Sequence, residues 1–445
     1  MQLEKLSQIL RESGIVGAGG AGFPAYAKLD KRADTIILNC AECEPLFKVH
    51  RQILEKYAFE VVSALSEVAK TVGAERAIIG IKPTYTDAID AVKAAIKAYP
   101  EVSVSYLPEI YPAGDEVILT YELTGRVIKP GNIPISVGVT VFNVETMYDI
   151  YRAINDKAPV THKYVMVAGE VKNPSVLRVP IGTTHKELVT LCGGPTIKDA
   201  VYLVGGPMTG KIGTPHGTIT KTTNAVILLP QDHYIVQRKT VNTTTGMKRA
   251  MSACCSCRMC TDLCSRNLMG SPINPQEFMH GISHNKVFDT KPFLNTFYCS
   301  QCGLCEMYSC MQGLSPASII AEYRNGLRVK GITPPKEPEF SGVSDKRKYR
   351  KVPVARLVRR LGLTKYNVDA PITDKEITPA RVTISLSQNI GAASHVIVKK
   401  GDTVEAGQLI ATAPEDKLGV ALHTPIGGRV REINKDFIII EKIRK

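Results

Sequence analysis

Two groups of closely spaced cysteines constrain the fold of this 445-residue chain more than any other feature. The first group reads ACCSCRMCTDLCSR and the second reads YCSQCGLCEMYSC. Three thiolates at steps of three residues can bind three corners of one cubane [4Fe–4S] cluster, and a more distant cysteine can bind the fourth. Both groups have this pattern: Cys254, Cys257, Cys260 and Cys264 in the first, and Cys299, Cys302, Cys305 and Cys310 in the second.

The spacing favours two [4Fe–4S] clusters over zinc, because zinc sites usually combine two C-x2-C pairs across a longer gap. In two-cluster ferredoxins the fourth cysteine of each run binds the other cluster. On that basis Cys310 would complete the first site and Cys264 the second. Two neighbouring clusters imply one-electron transfer, so another group must supply single electrons. The remaining cysteines are expected not to be ligands: Cys40, Cys43, Cys192 and Cys255.

A glycine-rich loop, GIVGAGGAGFPAYAKL, lies near the N-terminus. Gly17, Gly19, Gly20 and Gly22 carry no Cβ, so their backbone N–H groups can approach a phosphate or a planar ring. Lys28 could add a positive charge. The spacing matches neither the dinucleotide fingerprint nor a Walker A loop. The loop alone therefore leaves both a phosphate-bearing cofactor and an ordinary turn open.

The first third of the chain has an α/β pattern. Residues 34–40 and 75–81 are predicted strands, and residues 50–73 and 86–99 are predicted helices. A parallel or mixed sheet is expected, with ligands at the carboxyl ends of the strands. Each polar residue at these ends could be a helix cap or part of a turn. Together they form a polar set around one domain: Asn39, Glu42, Glu44, Asp115, Glu116, Asn143, Glu145 and Thr146.

The pattern of the chain changes several times after this α/β region. Short strands, turns and one helix predict a small α+β module, whereas the cysteine region is mostly helical. Proline and lysine then predict a linker or surface segment, and a final run of strands and glycine turns predicts an all-β module. The expected boundaries are 1–155, 160–240, 246–328, 329–378 and 379–445.

Composition excludes several classes of protein. The formal net charge is +14 and 44% of the residues are hydrophobic, but no apolar run approaches the ~20 residues of a membrane helix. The N-terminus has no signal-peptide pattern, so a cytoplasmic protein is expected. Basic residues are scattered except in a dense patch at 345–351, and no nucleic-acid motif is present. The charge favours an anionic cofactor or an acidic protein surface over nucleic acid.

Four motifs in order, GAGGAGFPAYAKL, NCAECEP, YPAGDE and FNVET, carry a family resemblance. They resemble the flavin- and NADH-binding subunit of respiratory complex I and its RnfC-like relatives, a family that includes the cobalamin reductases of propanediol-utilisation microcompartments. The resemblance covers nearly the whole chain. It implies a Rossmann-like FMN/NADH-binding domain, an SLBB β-grasp domain, a helical dicluster ferredoxin domain and an all-β barrel-sandwich hybrid domain. The C-terminal position of the last domain favours the cobalamin reductase branch.

The same motifs imply which residues bind the cofactors. Complex I has arginine and aspartate where Ala18 and Ala41 stand here, and these departures concern the NADH contacts more than FMN. The implied sets are Gly17, Gly19, Gly20, Ala21, Gly22 and Lys28 lining FMN; Asn39, Glu42, Asn143 and Thr146 hydrogen-bonding FMN; Phe23, Glu44, Phe47 and Glu116 facing NADH; and Tyr111, Gly114 and Asp115 closing the pocket.

The resemblance also implies the reaction. NADH would deliver a hydride to FMN, and single electrons would pass through two [4Fe–4S] clusters to cobalamin, from cob(III)alamin towards cob(I)alamin. No catalytic side chain is expected, because the cofactors carry the chemistry. The implied partners are a corrinoid adenosyltransferase and a microcompartment shell protein, with a homo-oligomer expected inside a cytoplasmic microcompartment.

Two other functions stay open at this point. One is an RnfC-like electron-transfer subunit that serves another acceptor or a membrane complex. The other is a cluster-bearing scaffold without NADH turnover. The C-terminal module also resembles lipoyl domains, with Lys417 near the position of the modified lysine. It matches the unmodified RnfC-type module as well, so Lys417 is expected to be an unmodified surface lysine.

Overall fold

The computed structural model describes residues 1–285, 287, 289–373 and 377–443. The fold class predicted from the sequence, a multidomain α/β and α+β protein with a C-terminal all-β module, is confirmed. Within the described part of the chain, no helix combines the length and the apolarity needed to cross a membrane.

The first region is an α/β layer structure around a parallel four-stranded sheet in the order β3-β2-β1-β5. Its elements are α1 (Leu3–Glu12), β1 (Thr35–Cys40), α2 (Val49–Lys56), α3 (Ala58–Val72), β2 (Arg76–Ile81), α4 (Thr86–Ala95), β3 (Val102–Tyr106), β4 (Ile110–Tyr111), α5 (Glu116–Thr124), β5 (Val139–Asn143) and α6 (Val144–Asn155).

Helices cover both faces of this sheet, because successive side chains of a strand point to opposite faces. Ile36 and Leu38 enter the main core with α2 and α3, whereas Ile37 packs on the other face with Leu119 of α5. The single helix predicted over residues 50–73 is wrong. The structure has two helices there, which change direction at Tyr57 (φ −128°, ψ 38°).

The second region is built on a six-stranded mixed sheet in the order β12-β7-β6-β10-β8-β9. Its edge strand β12 (Ile372–Thr373) comes from much later in the chain. A capping box formed by Thr184 and Glu187 starts its first helix. The elements are β6 (His162–Gly169), β7 (Ser175–Pro180), α7 (His185–Leu191), β8 (Val201–Val204), β9 (Lys211–Gly213), β10 (Ala225–Leu229) and α8 (Tyr234–Lys239).

The third region contains both cysteine groups and consists of short helices joined by loops. A small apolar core, with Phe278, Phe293 and Ile320 among its members, holds these helices together. The helices are α9 (Thr243–Ala253), α10 (Met259–Asp262), α11 (Ser265–Leu268), α12 (Pro275–Ser283), α13 (Lys291–Leu294) and α14 (Pro316–Val329).

The rest of the chain first runs back across the earlier regions and then forms two small antiparallel sheets. Strand β11 pairs with β4, and β12 pairs with β7, so the Pro- and Lys-rich segment adds strands to two other sheets. The elements are β11 (Val352–Pro353), α15 (Val354–Arg360), β12 (Ile372–Thr373), β13 (Arg381–Ser385), β14 (His395–Val396), β15 (Thr403–Val404), β16 (Leu409–Thr412), β17 (Leu422–His423), β18 (Gly428–Ile433) and β19 (Phe437–Glu441).

A buried ion pair joins the first two regions. Lys163 of β6 contacts the carboxylate of Glu145 on α6, and each side chain is only 2% exposed. Glu145 also accepts a hydrogen bond from the Tyr164 amide at 2.8 Å, and Lys163 donates to Asn224 Oδ1 at 2.9 Å. Because each charge is paired and hydrogen-bonded, removing one partner leaves the other buried and uncompensated.

We expect Lys163→Met to lower the free energy of unfolding by about 3–5 kcal/mol, because it strands the Glu145 carboxylate in the interior. Chemical denaturation would measure this loss. Lys186→Met, at an exposed lysine of α7, is the matched control and should change stability by less than about 0.5 kcal/mol. Adding Glu145→Gln to Lys163→Met should restore part of the loss. Equal stability of Lys163→Met and the control would contradict this role for the ion pair.

Candidate functional site

The topology predicts a crevice where β1 and β5 lie side by side. From β1 the chain proceeds to β2 and β3 on one side, and then returns to β5 on the other side of β1. Loops leaving two such strands diverge, and α/β folds bind ligands in the gap at the carboxyl ends. Asn39 and Asn143 are register partners at this edge. The topology therefore brings two of the predicted site residues together.

The glycine-rich loop lies over this crevice and is fixed at one end. The Gly17 amide donates to the Phe23 carbonyl at 2.9 Å, and the Ala18 amide donates to Thr146 Oγ1 at 3.0 Å. The amides of the next four residues have no hydrogen-bond partner among the residues that the structure describes: Gly19, Gly20, Ala21 and Gly22. Successive free N–H groups in a turn form a concave site for a phosphate. The loop therefore fits the phosphate group of FMN.

Two glycines of the loop are needed for different reasons. A Cβ on Gly19 would lie 2.5 Å from Asn143 Nδ2, so only glycine lets the loop pack against that amide. Gly22 has a φ of +73°, a conformation that glycine adopts without strain. A Cβ on Gly20, in contrast, would have no atom of the described chain within 4 Å. Gly20 therefore faces open space in the crevice.

Most of the residues predicted to hydrogen-bond FMN also hold the walls of the crevice. Asn39 accepts from the Ala41 amide at 3.0 Å and donates to the Gly114 carbonyl at 3.1 Å. The buried Glu42 carboxylate accepts from the amides of His50 (2.6 Å) and Arg51 (3.2 Å) at the start of α2.

On the β5 side, the Thr146 hydroxyl accepts from Ala18 and donates to the Val16 carbonyl at 3.2 Å, so it positions the glycine loop. Asn143 caps α6 through the Glu145 amide at 3.0 Å, and its Nδ2 lies 3.3 Å from the ring nitrogens of His50. Burial lowers the pKa of His50, which favours the neutral ring.

Lys28 and Glu116, predicted to contact different cofactors, contact each other. Lys28 Nζ lies 3.1 Å from Glu116 Oε1 and donates to the Val141 carbonyl at 2.8 Å. It also lies 5.9 Å from the centre of the Phe142 ring. Glu116 partly neutralises the lysine, and its own side chain stays 45% exposed.

The other residues predicted to face NADH are divided between the crevice and the protein interior. Phe23 is half-buried, whereas Phe47 is buried in the main core. The Glu44 carboxylate accepts hydrogen bonds from the amides of Met208 and Thr209, both at 2.9 Å, and from the Thr209 hydroxyl at 2.6 Å. Burial raises the pKa of Glu44. The Glu44 carboxylate is therefore occupied by hydrogen bonds from the β8–β9 loop.

Tyr111 and Asp115 join the crevice to the second cysteine group, whereas Gly114 contacts Asn39 and Cys43. The Tyr111 hydroxyl donates to the Cys302 carbonyl at 2.6 Å. One Asp115 oxygen caps α5, while the other accepts from Arg266 at 2.9 and 3.1 Å. Arg266 lies two residues after Cys264. The crevice and this cysteine group are thus in direct contact.

The eight predicted cysteine ligands gather in two sets, and each fourth cysteine lies with the other group. Burial, and then repulsion from Cys310, Cys257 and Cys254, raises the pKa of Cys260 to about 12. Burial, and then repulsion from Cys302 and Cys299, likewise raises the pKa of Cys264 to about 12.

Burial raises the pKa of Cys305, and the nearby Cys299, Cys302 and Cys264 raise it further, so Cys305 lies with these three cysteines. We call these four residues the second cysteine set. The crossed ligand sets of a two-cluster ferredoxin require this arrangement. The assignment of the eight ligands itself stays a prediction.

The cysteine loops fit iron–sulfur clusters in two further respects. Backbone amides point at sulfur atoms: Gln301 N lies 3.4 Å from Cys299 Sγ, and Leu314 N lies 3.4 Å from Cys310 Sγ. Such hydrogen bonds favour the thiolate form that a cluster needs. No three His, Cys, Asp or Glu side chains of the described chain are arranged to hold a single metal ion. A cubane instead has a separate iron atom for each cysteine.

The cysteines outside the two sets occupy separate positions. Cys40 and Cys192 are buried, Cys255 is exposed, and Cys43 Sγ lies 3.4 Å from the Gly114 amide. Lys417 is exposed in the loop between β16 and β17.

The sequence interpretation missed three contacts of the site: the salt bridge from Arg266 to Asp115, the His50 ring beside Asn143, and the cover of Glu44 by the β8–β9 loop. All three join residues that are far apart in the chain or have no motif, so local spacing contained no signal for them.

We expect Gly20→Ala to leave the thermal unfolding temperature unchanged, since the added methyl group meets no protein atom. If FMN occupies the crevice, the same methyl group should weaken its binding by about 1–3 kcal/mol, or roughly 5- to 150-fold in Kd. Quenching of FMN fluorescence on titration with the protein would measure the Kd.

Gly326→Ala on α14 is the matched control for this substitution. It also adds a methyl group in open space, but far along the chain from the crevice, and it should leave the Kd for FMN unchanged. An unaltered Kd for Gly20→Ala would show that FMN does not lie against the loop.

Comparison with known families assigns a domain to each region. The Nuo51 FMN-binding domain matches residues 10–152, and the SLBB domain matches residues 164–211. The 4Fe-4S dicluster domain matches residues 253–315, and the RnfC barrel-sandwich hybrid domain matches residues 363–442. The domain types expected from the resemblance are therefore confirmed.

Two curated relatives match almost end to end. The chain is 36% identical to the cobalamin reductase PduS of Citrobacter freundii, over 98% of this chain and 96% of the relative. It is 35% identical to PduS of Salmonella typhimurium, over 99% and 97%. A component of the Na+-translocating ferredoxin:NAD+ oxidoreductase complex of Acetobacterium woodii is 31% identical, over 62% of this chain and 61% of the relative. The chain therefore belongs to the PduS family of RnfC-like flavin and iron–sulfur proteins.

Proposed function

We propose that this chain is an NADH-dependent cobalamin reductase. It would pass electrons from NADH through FMN and two [4Fe–4S] clusters to a corrinoid, from cob(III)alamin towards cob(I)alamin. The full-length relatives are cobalamin reductases by name. The observation that carries the proposal is the contact between the crevice and the second cysteine set, through the Tyr111 hydroxyl and the Cys302 carbonyl.

Bound FMN would supply the chemistry that converts the electron pair of a hydride into single electrons for the clusters. The chain's own residues would hold and orient the groups. Gly19, Gly20, Ala21 and Gly22 offer four free amides to the phosphate, and Thr146 keeps the loop closed over α6. Phe23 and Glu116 remain partly exposed for NADH.

Glu44 is proposed to act differently from the motif-based expectation that it faces NADH. With its carboxylate hydrogen-bonded by Met208 and Thr209, it fixes the SLBB domain against the crevice. In this proposal the SLBB domain forms one wall of the nucleotide site.

Partners and location extend this proposal. A corrinoid adenosyltransferase would take up the reduced corrinoid, and a shell protein would retain the enzyme in a cytoplasmic microcompartment, as a homo-oligomer. These proposals rest on the family resemblance. Pull-down of the adenosyltransferase and sizing of the holoprotein would test them.

The alternative function is an RnfC-like electron-transfer subunit with another acceptor. The match of residues 363–442 to the RnfC barrel-sandwich domain favours this alternative. However, the chain as a whole, including this domain, aligns almost end to end with a cobalamin reductase. A holoprotein that is reduced by NADH and passes electrons to other acceptors but not to cob(III)alamin would support this alternative. A scaffold without NADH turnover would show no reduction at all.

We expect Cys302→Ser to separate the two halves of the reaction. Loss of one predicted ligand should lower the iron content from about eight to about four atoms per chain. NADH should still bleach the flavin absorbance, whereas cob(III)alamin reduction should fall at least about 100-fold, because the cluster beside Tyr111 is lost. Anaerobic spectroscopy of the reconstituted protein would follow both bands.

Cys255→Ser is the control, since this exposed cysteine lies outside both sets. It should keep the full iron content and the full rate of cobalamin reduction. Normal reduction by Cys302→Ser would remove the second set from the electron pathway.

A further inference from the structure

The segment 346–360, which we call the basic segment, has an extreme charge. It reads KRKYRKVPVARLVRR, with eight Lys or Arg residues and no Asp or Glu. It begins in a 3-10 helix (Asp345–Tyr349), continues through β11 and ends with α15. None of its residues belongs to the crevice or to the cysteine sets.

Three of these eight cations are paired within the protein. Arg347 and Lys351 both contact Glu122, at 2.6 and 2.9 Å, and Arg350 lies 3.7 Å from Asp262. The other five are exposed and form no ion pair within the described part of the chain: Lys346, Lys348, Arg356, Arg359 and Arg360. Arg356, Arg359 and Arg360 are three and four positions apart on α15, so they lie on one face of that helix.

The basic segment lies against the second cysteine set. Val352 pairs with Tyr111, whose hydroxyl donates to the Cys302 carbonyl. Side chains of the segment and of Leu263 and Leu304 line a shared cavity of about 20 Å³. Leu263 and Leu304 adjoin Cys264 and Cys305 in sequence. The cations that line this cavity are the paired Arg347, Arg350 and Lys351. The unpaired arginines follow directly in the chain on α15, so the segment joins the second cysteine set to an exposed basic helix.

The chemistry of the segment favours an acidic protein over a membrane. Interfacial helices bury an apolar face in lipid, but Leu357 and Val358 of α15 are already buried in the main core. The outward face of α15 offers arginine. Clustered positive charge without an apolar face raises the association rate of an acidic partner.

We propose that the basic segment is the docking surface for an acidic redox protein that exchanges single electrons with the second cluster. This inference rests on the proposed function. In the forward direction one electron leaves the reduced cluster, which is oxidised from the 1+ to the 2+ state. The acceptor held by the partner is reduced by one electron, and no proton or bond is exchanged.

The test uses the reconstituted holoprotein and flavodoxin, a small acidic electron carrier, as the probe. The charge-reversal variant is Arg356→Glu/Arg359→Glu/Arg360→Glu. The matched control is Lys399→Glu/Lys400→Glu/Lys435→Glu, three exposed lysines of the C-terminal domain, which changes the net charge equally. Biolayer interferometry at low and at physiological salt gives association rates.

The charge-reversal variant should bind flavodoxin at least about tenfold more slowly at low salt and should lose most of the salt dependence. The control should stay within about twofold of the wild type. Lys346→Glu/Lys348→Glu, in the 3-10 helix, should reproduce part of the loss and guards against misfolding of the α15 variant.

Equal association rates for the charge-reversal and control variants would overturn the proposal. So would binding to phosphatidylserine vesicles that the charge reversal abolishes while flavodoxin binding is unaltered. NADH oxidation with a small neutral quinone is measured in parallel. Its absence in the wild type would contradict the proposed reductase function, while the binding comparison would still decide the docking surface.

Discussion

The hydrogen bond from the Tyr111 hydroxyl to the Cys302 carbonyl joins the two halves of this molecule, and the proposed electron pathway depends on it. It fixes a cysteine loop against the strand end that closes the crevice. The salt bridge between Asp115 and Arg266 makes a second link a few residues away. Because both links end beside predicted cluster ligands, the second cysteine set is held next to the crevice rather than at the end of a flexible connection.

The SLBB domain strengthens the same arrangement from the opposite side. Glu145 and Lys163 join it to α6 through a buried ion pair, and Glu44 joins it to the loop after β1. Both acids come from the crevice walls. A buried ion pair contributes little net stability, but it strongly disfavours structures in which one partner is lost. These contacts therefore specify the position of the domain more than they stabilise it.

Local patterns in the sequence were sufficient for β1 and β2 of the first sheet, because a buried strand depends on spacing within a few residues. The cysteine ligands and the cofactor contacts of the glycine loop rest on the same kind of local pattern and stay predictions. The helix over residues 50–73 was wrong, since the turn at Tyr57 has no proline or glycine to mark it. The pairings of Lys28 with Glu116 and of Glu44 with Thr209 could not be predicted from local patterns. The first pair is separated by 88 positions in the chain and the second by 165 positions. The resemblance provided the cofactors and the domain types, which spacing alone did not establish.

In the proposed reaction, one chain converts the electron pair of NADH into single electrons for two clusters. Anaerobic titration of the reconstituted protein with NADH, followed by optical absorbance and electron paramagnetic resonance, tests it most directly. We expect substoichiometric NADH to bleach the flavin band and to produce the signal of reduced [4Fe–4S] clusters in the same sample. A protein that retains FMN and both clusters, yet shows no cluster signal after full bleaching of the flavin by NADH, would contradict it.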